Sequence, residues 1–316
     1  MPRRRKATVH GWLILDKPVG LTSTQAVGRI KRIFETGKAG HAGTLDPLAS
    51  GCLPIALGEA TKTVPYVVDG EKVYRFTVRW GAATNTDDSD GEVTETSDAR
   101  PNLTAIDALL PRYTGVISQI PPKFSAIKVD GARAYDLARD GEVVELAARE
   151  VEIDELVRLS DGTDETVFEC RCGKGTYVRA IARDMGRDLG CFGHITALRR
   201  VSVGPFEEVD MISLESLDEM RHKAETPQVP LAALRPVETA LDDIPALAVS
   251  RSDAARLANG QPVLLRGRDA PILEGMVYAM LGSRLVALAE AQGIEIVPRR
   301  IFHLPETSGV PDVATE

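Results

Sequence analysis

The sequence predicts an α/β protein with a large body and a small C-terminal module, and three observations carry that prediction. In "KVYRFTVRW" the apolar residues Tyr74, Phe76, Val78 and Trp80 alternate with Arg75, Thr77 and Arg79, the two-residue period of a strand with one buried face. In "TYVRAIARDMGRDLG", Val178, Ile181, Ala182, Met185 and Leu189 recur at helical spacing, while Arg179, Arg183 and Arg187 follow a separate stripe. A composition of 43% hydrophobic and 27% charged over 316 residues is that of a globular chain able to build one large core, or a large and a small one.

The other elements follow in order. "WLILDKPVG" reads as a short buried strand closed by a Pro-x-Gly turn. Thr22 or Ser23 then caps a helix running to about Phe34, with Val27, Ile30 and Phe34 on its core face. A glycine-rich loop comes next, with Gly37, Gly40 and Gly43 at every third position. Beyond the strand at 74–80, "TNTDDSDGEV" has Thr86 where a calcium loop needs its first ligand and Ser97 where it needs Glu, so it reads as an acidic hairpin turn. Residues 103–113 look helical, and 121–150 form a long basic and aromatic segment with weak periodicity. "VFECRC" is a strand, followed by a glycine turn and a helix whose first residues include Tyr177 and Arg179. Several prolines loosen 205–245, and "VSRSDAARLANGQPV" opens the tail module, with Gly260 as a helix C-cap.

Several function classes fall away on composition. No apolar run has the length of a bilayer crossing, and "MPRRRK" leads into "ATVHGWLILDK", too short and too polar for a signal segment, so a cytoplasmic protein without a membrane partner is expected. Cys52, Cys170, Cys172 and Cys191 include a C-x-C but no C-x2-C, which points to reduced, partly buried thiols and no zinc site. A net charge of -8 argues against indiscriminate polyanion binding, but the charge is unevenly spread. Residues 1–50 hold nine basic against three acidic side chains, a net +6, and 171–200 hold seven against two, a net +5. If the two stretches meet, they make a positive face on an acidic body, suited to holding a phosphate backbone.

The chemistry is densest in "GKAGHAGTLDPLASGCLPIALGEATK", residues 37–62, which sets a lone carboxylate, Asp46, in a glycine-rich loop five residues after His41. There is no G-x4-G-K-[ST], no G-x-G-x-x-G after a strand and no G-x-S-x-G, so nucleotide hydrolysis, hydride transfer and serine hydrolysis have no support. Glycines at 40 and 43 let backbone approach a ligand closely, and an Arg beside the Asp would keep it ionised and aimed. A lone carboxylate suits covalent attack, or proton abstraction, at a sugar or base with no cofactor.

"KP-x-G-x-TS" at 17–23, the segment around Asp46, "YRF" at Tyr74, "PPKFSAIKVDGARAYDLAR" at 121–139, "KGTYVRAIARDMG" at 174–186 and "LRR" at 198–200 occur together in this order. In this they resemble the TruB family of tRNA pseudouridine synthases, over roughly the first two thirds of the chain. The resemblance implies isomerisation of uridine 55 in the T loop of tRNA: the N-glycosidic bond is cut, and the uracil turns and rejoins the ribose through C5. It implies no metal and no cofactor, with tRNA as partner to a monomer that needs no protein partner. The fold it implies is a mixed, mostly antiparallel sheet with a central cleft over 1–245. Within that body, 121–150 would be a mobile RNA-binding insertion, and 246–316 would form a β-rich PUA-like module.

By the same resemblance Asp46 matches the catalytic aspartate. Tyr74 matches a tyrosine that stacks on the base and in some proposals receives the C5 proton, and Arg179 the arginine paired with the aspartate. Tyr177 and Leu198 match residues lining the uracil pocket. His41 matches a histidine that fills the stack when the target nucleotide is flipped out. Lys17, Lys123, Lys128, Arg133, Arg139, Lys174 and Arg199 make up the expected RNA-binding set. Two other functions share these motifs: a guide-RNA-dependent, dyskerin-like synthase, and a non-catalytic tRNA-binding or tRNA-folding protein. The segment 121–150 resembles the stand-alone branch and counts against the first; the intact Asp46, Tyr74 and Arg179 set counts against the second.

Overall fold

Strand β1 (Gly11–Lys17) is apolar on both faces, and the protein covers both. Leu13 and Leu15 enter the main core, whereas Trp12 and Ile14 enter a second core on the opposite side of the sheet. The structure, a computed structural model, describes residues 9–125, 127–129, 132–133, 146–223, 230–265 and 273–305. Helix α1 (Ser23–Ile33) follows, and Thr22 caps it in a box with Gln25, as the Thr-Ser pair suggests.

Strand β2 (Ala39–His41) and β3 (Ala49–Leu57) come next, then α2 (Val64–Asp69), β4 (Lys72–Trp80), the hairpin β5 (Ala82–Thr84) and β6 (Val93–Thr96), and α3 (Leu103–Leu109). Beyond these lie β7 (Gly115–Gln119), the short pair β8 (Lys128–Val129) and β9 (Ala132–Arg133), β10 (Arg149–Arg158), β11 (Glu165–Cys172), α4 (Val178–Asp188), β12 (Gly193–Val203) and α5 (Leu214–Lys223). Among the described residues the main sheet has the order β1-β3-β12-β4-β11-β10-β7, with β2 on β3. Its pairings are antiparallel except β12 with β3, so it is mixed and mostly antiparallel, as expected.

One expectation fails here. The glycine-rich stretch is only in part a loop, because "AGH" forms β2 and "ASGCLPIAL" forms β3. Eight of the nine residues of β3 are buried, so no alternation marks it as a strand. Gly51 lets β3 lie beside β12: its φ is +94°, and a Cβ there would sit 2.2 Å from the Arg200 carbonyl oxygen. On the apolar face of β4, Phe76 stacks with Phe168 of β11 at 5.5 Å, and the Trp80 indole donates to Thr166 Oγ1 at 2.9 Å, so the buried ring keeps a polar partner.

The tail folds as β13 (Ala246–Ala248), α6 (Arg251–Ala258), β14 (Val263–Leu264), β15 (Leu273–Leu281), β16 (Arg284–Gly293) and β17 (Glu295–Ile301). These strands make a second sheet of order β13-β15-β16-β17-β14, the small β-rich unit expected, and Gly260 follows α6 with φ +76°. The core begun by Trp12 and Ile14 continues into Leu285, Leu288 and Phe302, so body and tail share apolar packing. A polar seam runs beside it: buried Glu59 accepts from Lys62 and from the His303 backbone N–H, and Lys62 also donates to the Ile301 carbonyl. Arg139, and with it half of the segment expected to be a mobile insertion, lies outside the described residues.

Candidate active site

Two anchors fix the backbone on either side of Asp46. The Ser23 hydroxyl, at the start of α1, donates to the Leu45 carbonyl at 3.0 Å and accepts from its N–H at 2.8 Å. After the Asp, the Pro47 carbonyl accepts from Gly20 N–H at 2.8 Å. The buried Lys17 ammonium donates to Pro18 and Leu21 at 2.8 and 2.7 Å and reaches Pro47 at 3.5 Å. The Lys-Pro-x-Gly-x-Thr-Ser run therefore aims the Asp46 loop. Lys17 was expected to touch RNA; full burial puts it out of reach of a phosphate, and its role here is to hold carbonyls. Burial pushes its ammonium down to about 8, with Asp46 opposing and Arg200 adding to the drop.

Asp46 opens onto a cavity of about 290 Å³. Arg179, near the start of α4, meets it with Nη2 to Oδ2 at 2.9 Å. The same guanidinium donates Nη1 to the Thr86 carbonyl and Nη2 to the Phe124 carbonyl, both at 2.9 Å, and lies 3.5 Å from Asp88. Asp88 is itself buried and accepts from Thr86 Oγ1 and the Asp90 N–H. The acidic hairpin thus does more than turn the chain. Its carboxylates dock on the arginine stripe of α4: Asp88 lies beside Arg179, and Asp87 meets Arg183 at 3.1 Å.

Tyr74, Tyr177 and Leu198 all line this cavity. Burial pushes the Tyr74 phenol up against the opposing Arg200, and burial likewise raises Tyr177, with Ser125 working the other way. The Gln119 side chain holds the backbone of Tyr177 with two hydrogen bonds, to its carbonyl at 3.1 Å and from its N–H at 2.8 Å. Lys174 stands at the rim, paired with Asp69 at 2.9 Å.

Other expected residues are placed differently. His41 ends β2 and is not among the residues lining the cavity. Arg199 points away from the cavity: it forks onto Asp16 at 2.9 and 3.2 Å and bonds Glu208 at 2.8 Å, so any RNA contact would have to compete with two carboxylates. Lys123 is exposed. Lys128 and Arg133 fall on the β8–β9 pair, where the backbone alone is described.

Two cations at the site escaped the sequence reading. Arg200 is buried, donates Nε to the Cys52 carbonyl at 2.7 Å and Nη2 to Gly43 at 3.1 Å, and lines the cavity behind Tyr74. Lys72 lies under the cavity, donates to the Val68 and Gly70 carbonyls, and is pushed down to about 8 by burial, with Arg200 adding to the drop. "LRR" was one signal for Arg200; for Lys72 the signal was a Lys on the apolar parity of a strand, the same parity as Tyr74. The cysteines are free and buried. Among the described residues no His, Cys, Asp and Glu cluster is placed to hold a metal ion, and no helix is long and apolar enough to cross a membrane.

A mixed sheet with an ionised pair and a tyrosine at one cleft defines a pseudouridine synthase, an isomerase acting on RNA, once its likeness to known proteins is added. Residues 31–178 match the family model described as TruB family pseudouridylate synthase (N terminal domain), and 179–242 match that of the tRNA pseudouridylate synthase B C-terminal domain. The chain is 64% identical over 305 residues to tRNA pseudouridine synthase B of Rhodopseudomonas palustris, covering 96% of this chain and 83% of that protein. It is 63% identical over 311 residues to the protein of that name from Bradyrhizobium diazoefficiens, covering 98% and 90%. Among solved structures, a chain of a Cbf5-Nop10-Gar1 complex superposes at TM-score 0.71 with 27% identity, covering 93% of this chain and 85% of that one. A chain of an H/ACA RNP bound to a substrate RNA containing 2'-deoxyuridine superposes at 0.70 with 26% identity, with the same coverage. The chain belongs to the TruB family of pseudouridine synthases.

Proposed function

We propose that this chain converts uridine 55 in the T loop of tRNA to pseudouridine, with Asp46 as the catalytic carboxylate. The observation that carries the reading is the Asp46–Arg179 pair at the cavity, with Tyr74 on the same wall. The relatives named tRNA pseudouridine synthase B supply the substrate class. The reaction breaks C1′–N1, forms C1′–C5 and moves a proton from C5 to the solvent or a nearby base while N1 gains one, so substrate and product are isomers. Attack at C1′, attack at the ring and removal of the 2′ proton all need the ionised oxygen that Asp46 presents.

Each neighbour has a part in that reading. Arg179 holds the carboxylate in one orientation, because its own donors are tied to two carbonyls and a second carboxylate. Tyr74 offers a face for a flipped pyrimidine, and Leu198 and Tyr177 close the pocket around it. Lys174 at the rim, with exposed Lys123, would meet flanking phosphates. Arg133, Lys128 and Arg139 join that set on the resemblance alone, and the tail sheet is read as a PUA-like RNA-contacting module. The enzyme would act in the cytoplasm, as a monomer without cofactor.

A guide-RNA-dependent reading is favoured by the likeness to chains from multi-protein and RNP complexes. One experiment separates the two: purified protein is incubated with unmodified tRNA alone, and pseudouridine is mapped. Pseudouridine at position 55 is expected, and none should form on a tRNA carrying cytidine there. A product that appears only when guide RNA and partner proteins are added would favour the second reading.

A further inference from the structure

Arg183 lies one turn along α4 from Arg179, and only 12% of its side chain is exposed, against 61% for Arg187 one turn further on. Acceptors surround its guanidinium. Nη1 donates to Asp87 at 3.1 Å, Nη2 to the Ile120 carbonyl at 2.8 Å, and Nε and Nη2 fork onto Asp184 at 2.8 and 3.0 Å. An enclosed cation is costly to hold and is weak evidence for stability, so the question is what its partners gain.

Those partners belong to the two strips of chain that seat Arg179. Arg179 donates to the carbonyls of Thr86 and Phe124; Arg183 grips Asp87, next to Thr86, and Ile120, four residues before Phe124. The same loop and the same incoming segment are therefore held twice by one helix. Asp87 adopts φ +62°, a left-handed conformation that costs a non-glycine residue on the order of 1 kcal/mol. With it, consecutive carboxylates face different arginines, Asp87 to Arg183 and Asp88 to Arg179.

We propose that Arg183 is a positioning residue for the isomerisation. It fixes the acidic loop and the chain entering at 119–124 against α4, and so holds the two carbonyls that aim Arg179 at Asp46. Arg183 is not among the residues lining the cavity, so it acts through Arg179 and not on the RNA. The inference rests on the proposed reaction.

The test compares single-turnover pseudouridine formation on unmodified tRNA for wild type, Arg183→Gln, Arg183→Lys, Asp87→Asn and Arg187→Gln, alongside tRNA affinity and melting temperature. Arg183→Gln should lower the rate about 10- to 100-fold, the scale of loss when a reacting group is slightly misplaced. Its tRNA affinity should stay within about threefold of wild type. Arg183→Lys should recover part of the rate, since one ammonium keeps a charge but not the fork. Arg183→Gln combined with Asp87→Asn should be little worse than Arg183→Gln alone, as for partners in one unit. Arg187→Gln, on the exposed end of the stripe, should match wild type. A wild-type rate in Arg183→Gln would overturn the proposal, as would a rate loss fully accounted for by weaker tRNA binding. If Arg183→Gln does not fold, the near-isosteric Asp87→Asn decides alone, and an unchanged rate there overturns it. Failure of wild type itself to form pseudouridine would count against the proposed function instead, so the two failures are distinguishable.

Discussion

Asp46 and Arg179 meet at 2.9 Å across a steep gradient of exposure, 38% for the carboxylate side chain and 5% for the guanidinium. The carboxylate faces the cavity, while the charge that steadies it sits behind, where salt screens it little. Asn at position 46 would keep the shape and lose the anion. Asp46→Asn should leave tRNA affinity within a few fold and abolish turnover; a rate within about tenfold of wild type would remove Asp46 from the chemistry.

On the proposed reading Arg179 serves catalysis as well as stability, and two substitutions separate these roles. Arg179→Lys keeps the charge but cannot span Asp46, Asp88 and two carbonyls together, so the rate should fall by about 100-fold or more with a modest change in melting temperature. Arg179→Met leaves Asp88 enclosed without its cation. It should cost about 3 kcal/mol of stability in denaturant unfolding, the scale of a broken buried pair.

Two glycines should respond in opposite directions to alanine. At Gly51 a Cβ would lie 2.2 Å from the Arg200 carbonyl oxygen at a φ of +94°, so Gly51→Ala should lose roughly 2 kcal/mol or more and part the β3–β12 pairing. Gly28 sits inside α1, with nothing within 4 Å of the added carbon. Gly28→Ala should raise stability by about 0.5–1 kcal/mol, measured by thermal denaturation.

The seam between body and tail should be acid-sensitive. Burial works to raise the Glu59 carboxyl, but Lys62, the His303 N–H and Lys38 outweigh it and hold the group below its ordinary value. A depressed carboxylate contributes stability above its unfolded value, about 4.3, and loses it as pH falls through the lower folded value. Melting temperature should therefore drop more steeply below about pH 4.3 in wild type than in Glu59→Gln, which should be less stable at neutral pH. Identical acid profiles would show that Glu59 does not hold the tail.

Much of this fold was legible wherever one face of an element is wet. β4 alternates cleanly, α1 carries its cap in Thr22, and α4 shows its core stripe, so all three appear in the sequence at nearly their observed bounds. β3 did not, because a strand covered on both sides has no period to read. The cavity residues Tyr74, Tyr177, Leu198 and Arg179 came through resemblance, not pattern. What failed was charge: Lys17 and Arg199 counted as positive surface, yet one is enclosed by carbonyls and the other is forked onto Asp16, 183 positions away in sequence. Pairings over such separations are set by the folded chain and leave no local trace.

The sheet order β3-β12-β4 means that strands neighbouring in sequence are not neighbours in space; the last long strand of the body is inserted between them. A nascent chain that has released β3 and β4 has both edges of this gap ready and must keep them apart until residues 193–203 emerge. Such non-local pairing slows folding and leaves unpaired edges exposed while it waits. Leu198 and Arg200 arrive on that same strand, so the cavity is complete only once residues 193–203 have joined the sheet.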